Sequence, residues 1–355
     1  MSPRLKEERA EEWALIEAAR GGDEESFRCL VAGQRDVLEA HCYRMLGSVQ
    51  DAEDAVQETL IRAWRALRGY RGRGSLRTWL HRIATNVCID AIRRRPKRVL
   101  PVDYGAPVSP DREASPEPVR EPVWLEPFPD QELKSEDGAA TPEARYERRE
   151  AIELAFIAAL QYLPARQRAA LILRDVLGFS ANEVAVMLET RVASITSALQ
   201  RARSGLERRL PDQSQQATLR SLGDARAREL VNRFANAFEA GDVGAILGLL
   251  AEDATFSMPP YPGWYRGREA IEQSWLIPSG APSQLRYVPT TASGQLAMGV
   301  YGRDGELRRF VPICLDVLAV DNGKISDVVA FRSLADYSRY GLPGTLPLDR
   351  RGQPV

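Results

Sequence analysis

The chain has 355 residues, 44% of them apolar and 27% charged, and 48 Lys and Arg nearly balance 49 Asp and Glu. This length and composition exclude a disordered chain and predict two or three globular domains, each with its own core. The four cysteines stand far apart without a Cys-x-x-Cys pair, which predicts reduced thiols and neither a disulfide framework nor a metal site. No stretch approaches the roughly twenty apolar residues of a membrane span, so we expect a cytoplasmic protein.

Helical periodicity runs through residues 10–100, where apolar side chains recur at helical spacing from Leu15 to Leu46 and beyond. The pattern stops at a linker, 101–142, which holds nine prolines and in which ten acidic residues outnumber three basic ones. Trp124 and Phe128 make this linker too apolar for a pure spacer, so we expect it to dock on a folded surface. Helical spacing resumes over 143–210, and a second linker follows at 211–223.

The last part of the chain has a different pattern. Helical spacing over 225–251 precedes strand-like runs at 284–290, 294–301, 307–320 and 324–332, which predicts an α+β domain over 224–338 and a tail over 339–355. The predicted fold is therefore multidomain: two all-α domains, the second with a helix-turn-helix, joined by an acidic Pro-rich linker and followed by an α+β domain.

A strongly basic segment, 61–98, holds twelve Arg or Lys and one acid, Asp90. Trp64, Tyr70 and Trp79 lie among these charges, so the segment offers cations for phosphates and flat rings for unstacked bases. Its glycine-rich loop, 69–76, allows close approach of the backbone to a ligand, and no Gly-Lys-Ser/Thr follows that would favour an ATP site. His41 and His81 are too few for a catalytic or metal set and are interpreted as structural or surface residues.

An acidic stripe precedes the basic segment. Asp51, Asp54 and Glu58 fall at i, i+3 and i+7, on one helical face, with Leu60 and Ile61 assigned to other faces. A solvated face with acids near the helix start is the ordinary alternative. The position directly before the basic segment favours instead a surface that docks on a basic partner.

A helix-turn-helix is predicted within 166–209. Ser180 and Glu183 form a capping box for the first helix, and the second helix directs Val192, Ile195, Leu199 and Leu206 inward. The outward residues are small, polar and partly basic, as entry into the major groove of DNA requires: Ser194, Thr196, Ser197, Gln200 and Arg201. An ordinary helical hairpin remains the alternative.

These motifs together resemble the extracytoplasmic-function (ECF) group of bacterial sigma factors. The similar stretches are DAEDAVQETLIRAW, RTWLHRIATNVCIDAIRRR, LPARQRAALILRDVLGFSANEVAVML and SALQRAR, within residues 13–98 and 146–210. The resemblance implies that the acidic helix binds the β′ clamp helices of core RNA polymerase through Asp51, Asp54, Gln57 and Glu58. It also implies that the linker follows the basic cleft of the polymerase, with the β subunit as a further contact.

The same resemblance assigns two DNA-reading surfaces. The residues that it implies for melting and reading the −10 promoter element are Tyr70, Arg73, Arg77, Trp79, Arg82 and Asn86. The −35 element is read by the second helix of the helix-turn-helix and its flanks. The residues implied there are Arg191, Ser194, Thr196, Ser197, Gln200, Arg201 and Arg203. Where the family often has Lys-Ser-Arg, this chain has Thr196, Ser197 and Ala198, so we expect fewer phosphate contacts there. Binding of the upstream element is then either weaker or carried more by Arg191, Arg201 and Arg203.

The C-terminal part, from RELVNRFANAFEAGD onward, resembles SnoaL-like members of the cone-shaped NTF2-like fold, and the whole chain is similar to the mycobacterial sigma-G type. Aromatic and sulfur side chains are candidates for a pocket there, or equally for a small core: Phe256, Met258, Trp264, Tyr265, Trp275 and Tyr301. No histidine follows His81, so a His-Asp dyad is excluded, and Asp253 or Asp316 remains as a lone base or as a structural group.

Three hypotheses result. The first is a non-catalytic sigma factor for promoter DNA, regulated by its SnoaL-like domain, without cofactor or metal and with an anti-sigma factor as a further candidate partner. The second is a stand-alone helix-turn-helix regulator, and the third is a small-molecule enzyme or sensor with a DNA-binding leader. The acidic helix beside the basic loop favours the first.

Overall fold

The computed structural model describes residues 3–72, 74–109, 117–119, 123–133, 147–273, 285–306, 308–332, 334 and 336–347. The chain divides into two compact units: Met1–Lys97 with Glu132–Thr141 and Ala159–Arg209, and Arg98–Gln131 with Pro142–Ala158 and Leu210–Val355. Most of the linker therefore belongs to the same unit as the C-terminal domain. Within the described ranges, no helix combines the length and apolar character needed to cross a bilayer.

The first unit begins with a group of helices: α1 (Pro3–Arg20), α2 (Glu24–Ala32), α3 (Arg35–Leu46), α4 (Val49–Ala66) and α5 (Leu76–Arg94). Their starts follow the local sequence, because the side chains of Asp23, Ser48 and Ser75 cap α2, α4 and α5 by accepting hydrogen bonds from backbone amides. Leu38 and Leu80 are fully buried between α3 and α5, so one apolar core fixes the basic helix against its neighbours.

A single helical turn, α6 (Pro101–Tyr104), lies at the start of the linker. A short helix, α7 (Leu154–Gln161), follows the linker. In the first unit, α8 (Ala165–Leu171) continues into a π-helical turn at Ile172–Val176. The predicted helix-turn-helix follows, as α9 (Ala181–Met187) and α10 (Val192–Glu207). Its capping box is confirmed, with Glu183 N donating to Ser180 Oγ and Ser180 N donating to Glu183 Oε2, at 3.2 and 2.8 Å.

One part of the predicted inward set of α10 is wrong. Ile195, Leu199 and Leu206 are buried as expected, but the side chain of Val192 is 39% exposed. Val192 is the first residue of the helix, so its helical angle alone does not bury it. The exposed residues at the start of α10 are therefore partly apolar.

The second unit carries a curved mixed sheet with helices α11 (Gln215–Leu222), α12 (Asp224–Ala240), α13 (Val243–Leu249) and α14 (Arg268–Ile271). Its strands are β1 (Leu250–Ser257), β2 (Trp264–Arg266), β3 (Leu285–Ala292), β4 (Gln295–Asp304), β5 (Arg309–Asp321), β6 (Lys324–Phe331) and β7 (Leu346–Pro347). The order is β2-β1-β6-β5-β4-β3, with β7 on β5 and with β1 parallel to β6. Phe234 and Phe238 of α12 pack on this sheet and form its main core with Phe256 and Leu318.

The linker packs on the C-terminal domain within the second unit. Its aromatic segment, which we expected to dock on a folded surface, docks there. Phe128 is fully buried, its amide donates to Ser293 Oγ at 2.9 Å, and its carbonyl accepts from Ser293 N at 2.8 Å. Gly294 N donates to Asp130 Oδ1 at 2.8 Å, so the linker lies along the turn between β3 and β4. Further along the chain, the Tyr340 hydroxyl donates to Pro127 O at 2.9 Å.

Candidate nucleic-acid interface

The acidic face of α4 differs from the predicted stripe at its start. Asp51 is buried and forms a salt bridge with Arg95, so its carboxylate is engaged inside the first unit. Asp54 and Gln57 are exposed, and Glu58 pairs with Arg62 at 2.6 Å. Ile61, assigned from the sequence to another face, is 45% exposed one turn after Gln57. The available surface is therefore Asp54, Gln57, Glu58 and Ile61, acidic with an apolar end.

The glycine-rich loop and the start of α5 form an aromatic wall. The ring of Tyr70 lies 4.9 Å from that of Trp79 and 6.2 Å from that of Trp13, and its hydroxyl donates to Gly74 O at 2.8 Å. Gly72 has φ +63° and lies so close to Trp13 that a Cβ would clash, so the loop needs glycine there. Trp64 instead packs edge-on against Phe27, at 5.0 Å between centroids, and stabilises the helices.

Tyr70 and Trp79 of this wall line a cavity of about 310 Å³. The other side chains that line it are Arg71, Thr78 and Arg82 of the same surface and Val186 and Met187 of α9. Of the predicted −10 residues, the cavity brings together Tyr70, Trp79 and Arg82. Arg77 lies beside it, Asn86 is half-buried further along α5, and Arg73 lies outside the described residues. Cationic and aromatic groups on one concave surface can hold an unstacked base and its phosphates.

Contacts between α5 and the helix-turn-helix cover part of this surface. Arg82 forms a salt bridge with Glu189, 2.6 Å between Nη2 and Oε1, and Thr78 Oγ1 donates to Glu183 Oε1 at 3.4 Å. Arg77 donates to Leu177 O at 3.0 Å, and its guanidinium lies 4.4 Å from the Phe179 ring centroid. Arg77 and Arg82, the predicted DNA contacts, thus bind protein groups in this state.

Both histidines lie in the core behind this surface. Their rings are 5.4 Å apart, His41 Nε2 is 2.9 Å from Thr85 Oγ1, and His81 Nδ1 donates to Arg77 O at 2.8 Å. Burial lowers the pKa of His81 to about 4, so the ring is neutral at pH 7. Among the described side chains, no three His, Cys, Asp or Glu are grouped as metal ligands.

The second predicted DNA surface lies on α10. Its predicted residues are all exposed: Arg191, Ser194, Thr196, Ser197, Gln200, Arg201 and Arg203. Arg203, however, binds Asp175 through two hydrogen bonds, Nε–Oδ2 of 2.9 Å and Nη2–Oδ1 of 2.8 Å. Glu189 adopts φ +50° in the turn before α10, which directs the chain from one helix into the other.

Comparisons with known proteins agree with this arrangement. Family models match residues 30–98 as Sigma-70 region 2, 153–206 as Sigma-70 region 4, and 231–328 as a SnoaL-like domain. The chain is 43% identical over 315 residues to the ECF RNA polymerase sigma factor SigG of Mycobacterium tuberculosis, covering 88% of this chain and 82% of that relative.

The chain belongs to the ECF sigma factors. SigE of Mycolicibacterium smegmatis is 32% identical over 180 residues, covering 50% of this chain and 58% of that protein. The crystal structure of the M. tuberculosis sigma factor SigJ has the same fold, with a TM-score of 0.53 at 21% identity, over 87% of this chain and 97% of that one. This ECF sigma factor therefore combines regions 2 and 4 with a SnoaL-like domain.

The SnoaL-like domain of this sigma factor separates the predicted pocket residues. Phe256 and Tyr265 stack at 6.4 Å, and Met258 packs on the same core. Trp264 donates to Gly105 O at 2.7 Å and Tyr301 donates to Pro343 O at 2.7 Å, so these two side chains hold the linker and the tail. Trp275 lies outside the described residues.

The candidate base residues differ in their surroundings. Asp253 is exposed, whereas Asp316 is 2% exposed beside Cys314, whose thiol donates to Oδ1 at 3.3 Å. Burial raises the pKa of Asp316 to about 7. A buried carboxyl that faces core side chains is explained by the packing of β5, without a substrate.

Proposed function

We propose that this sigma factor binds core RNA polymerase and promoter DNA through three surfaces. The acidic face of α4, with Asp54, Gln57, Glu58 and Ile61, docks on the clamp helices of core RNA polymerase. The aromatic wall around Tyr70 and Trp79 holds the opened strand of the −10 element, and α10 reads the −35 element. The observation that carries the proposal is the cavity in which two aromatic rings and Arg82 meet directly after the acidic helix.

The −10 surface is partly covered by region 4 in this state, so we propose that binding to polymerase separates the two. Arg77 and Arg82 would then exchange the carbonyl of Leu177 and the carboxylate of Glu189 for DNA phosphates. Each exchange replaces one charge-assisted contact with another, which keeps the free-energy cost of opening small.

The SnoaL-like domain is proposed to regulate this opening by holding the linker, and not to catalyse a reaction. Phe128, Asp130 and Pro127 of the linker bind the domain through the contacts around Ser293, Gly294 and Tyr340. A linker held there is not free to follow the polymerase cleft. The two placements therefore compete, and the domain favours the inactive one.

Transcription with purified components tests both proposals. The full chain with core RNA polymerase should start transcripts at defined positions on a library of genomic fragments, and core polymerase alone should not. If no fragment supported specific initiation, the proposed sigma function would be contradicted. A chain ending after Leu210 should be more active than the full chain; equal activity would remove the regulatory proposal. An anti-sigma factor stays a prediction, which capture by the full chain from its own cells would test.

A further inference from the structure

An apolar patch lies at the start of α10, where a DNA-reading helix is expected to be polar. In the part of the chain that the structure describes, four large apolar side chains are exposed, and two of them, Val186 and Val192, lie in the helix-turn-helix. Ala193 beside Val192 is exposed as well. Residues in the first turns of the second helix are those that reach base edges in this motif.

Thr196 extends the apolar patch by one turn. Its hydroxyl donates back to Val192 O at 3.3 Å, so the only proton of the hydroxyl is used within the helix. The hydroxyl oxygen can still accept a hydrogen bond, and the methyl group is the apolar part of Thr196 that can meet a ligand. Val192, Ala193 and Thr196 stand at i, i+1 and i+4, adjacent on one side of the helix.

Charge does not explain this surface. No acidic or basic residue stands between Val192 and Gln200, and Arg203 further along is bound to Asp175. The exposed cations Arg191 and Arg201 flank this stretch, and contacts to phosphate from the residues between them are limited to polar groups and backbone. In the major groove, the apolar feature that a methyl-bearing side chain can recognise is the 5-methyl group of thymine.

We propose that α10 selects its promoter element by packing Val192, Ala193 and the methyl of Thr196 against thymine 5-methyl groups, so that Val192 and Thr196 are specificity-determining residues. The inference rests on the proposed reading of the −35 element by α10. It adds the chemical group that is recognised, the 5-methyl group of thymine, and a residue, Val192, that the polar sequence pattern of the helix does not indicate.

Replacing thymine by deoxyuridine tests the inference, because only the 5-methyl group is lost. The probe is a duplex fragment on which the full chain with core RNA polymerase initiates, with the upstream thymines replaced one at a time. Binding of the holoenzyme should weaken about fourfold for each methyl group that is read, as expected for one buried methyl-sized group. If no fragment supports initiation, the proposed function fails, and this inference fails with it because it rests on that function.

Two variants assign the effect to the helix. Thr196→Ser keeps the hydroxyl and its bond to Val192 O, and Val192→Ser removes the apolar group at the first position. Each should bind the thymine fragment several-fold more weakly and should no longer distinguish deoxyuridine at one position. Val243→Ser, at the first position of α13 in the SnoaL-like domain and outside every proposed DNA surface, is the matched control and should discriminate as the unaltered chain does.

The outcomes separate cleanly. Loss of discrimination at one position in Val192→Ser or Thr196→Ser, with circular dichroism unchanged, supports methyl reading. Initiation that is insensitive to deoxyuridine throughout the upstream element would overturn it. Equal sensitivity in the unaltered chain and both variants would also overturn it, because the methyl effect would then arise from DNA shape or from other residues.

Discussion

Arg82 and Glu189 form a salt bridge that joins the −10 surface to the turn of the helix-turn-helix, with 2.6 Å between Nη2 and Oε1. Glu189→Gln should free Arg82 and raise the affinity for a single-stranded −10 oligonucleotide. Both side chains are substantially exposed, so the gain should be at most about fivefold. Fluorescence anisotropy at low salt measures it.

Removal of any acid lowers repulsion of DNA, so a matched variant is needed. Glu25 pairs with Arg28 on α2 and is equally exposed, at 67% against 68% for Glu189. Glu25→Gln should change the affinity little. Equal gains in both variants would mean that net charge, and not release of Arg82, controls binding.

Trp79→Ala should impair promoter opening more than duplex binding. Its ring packs on Tyr70 and lines the cavity, where an unstacked base would add about 1 to 3 kcal/mol by stacking. We expect at least a tenfold loss of permanganate-reactive thymines in the open complex, with duplex affinity nearly unchanged. Trp79→Phe, which keeps a ring, should retain most of the opening. Equal losses in both assays would contradict a role in strand capture.

Arg201 and Arg203 should differ in the salt dependence of DNA binding, although both are exposed. Arg203 is held by Asp175 and Arg201 is a predicted phosphate contact on the outer side of α10. Arg201→Gln should reduce the slope of log affinity against log salt by about 0.9, the value for one phosphate contact. Arg203→Gln should change the slope less. The reverse order would show that Asp175 releases Arg203 on DNA.

Phe128→Ala should release the linker from the SnoaL-like domain. Phe128 is fully buried there, and such a truncation costs about 3 to 5 kcal/mol. Proteolytic cleavage within the linker should become faster, and transcription by the full chain should rise towards that of the chain ending after Leu210. Tyr104→Ala, at a half-exposed position of the linker, should have a smaller effect. Unchanged cleavage in Phe128→Ala would show that other contacts hold the linker.

Asp316→Asn should stabilise the SnoaL-like domain above neutral pH. The pKa of Asp316 rises from 3.8 in the unfolded chain to about 7 in the folded one, so the folded state binds this proton more tightly. Stability from this group is present at low pH and is lost as pH rises from 3.8 towards 7. The gain from the amide should therefore be about 2 to 3 kcal/mol larger near pH 8 than near pH 5. Calorimetric melting at both pH values measures the difference, and an equal gain at both would contradict the raised pKa.

Local sequence signals predicted the elements well where chain neighbours determine them. The Ser180–Glu183 capping box and the strands β3 to β6 match the predictions. The turn at Asp321–Gly323 has positive φ, +47° at Asn322 and +73° at Gly323, which its Asn-Gly sequence favours. The strand β1 was missed, because its sequence continues from a helical pattern and it is recognised only by its parallel pairing with β6.

Contacts between distant residues limited the prediction of the sites. Asp51 lies on the predicted acidic stripe, but Arg95, 44 residues away, engages it. Asp175 engages Arg203 from 28 residues away in the same manner. Helical periodicity indicates which face of a helix carries a side chain, but not which distant residue pairs with it. The predicted binding surfaces therefore included charged residues that are already paired within the protein. The exposure of Val192 depends on where α10 begins relative to α8, which the sequence pattern does not specify.

The linker and the turn that holds it are made at different times. Phe128 and Ser293 are 165 residues apart, so the ribosome completes regions 2 and 4 before it completes the domain that binds the linker. At 5 to 20 residues per second this interval lasts roughly ten to thirty seconds. A nascent sigma factor therefore passes through a period in which its linker is unrestrained. The restraint is set only when synthesis is nearly finished, and a chain that stops early never acquires it.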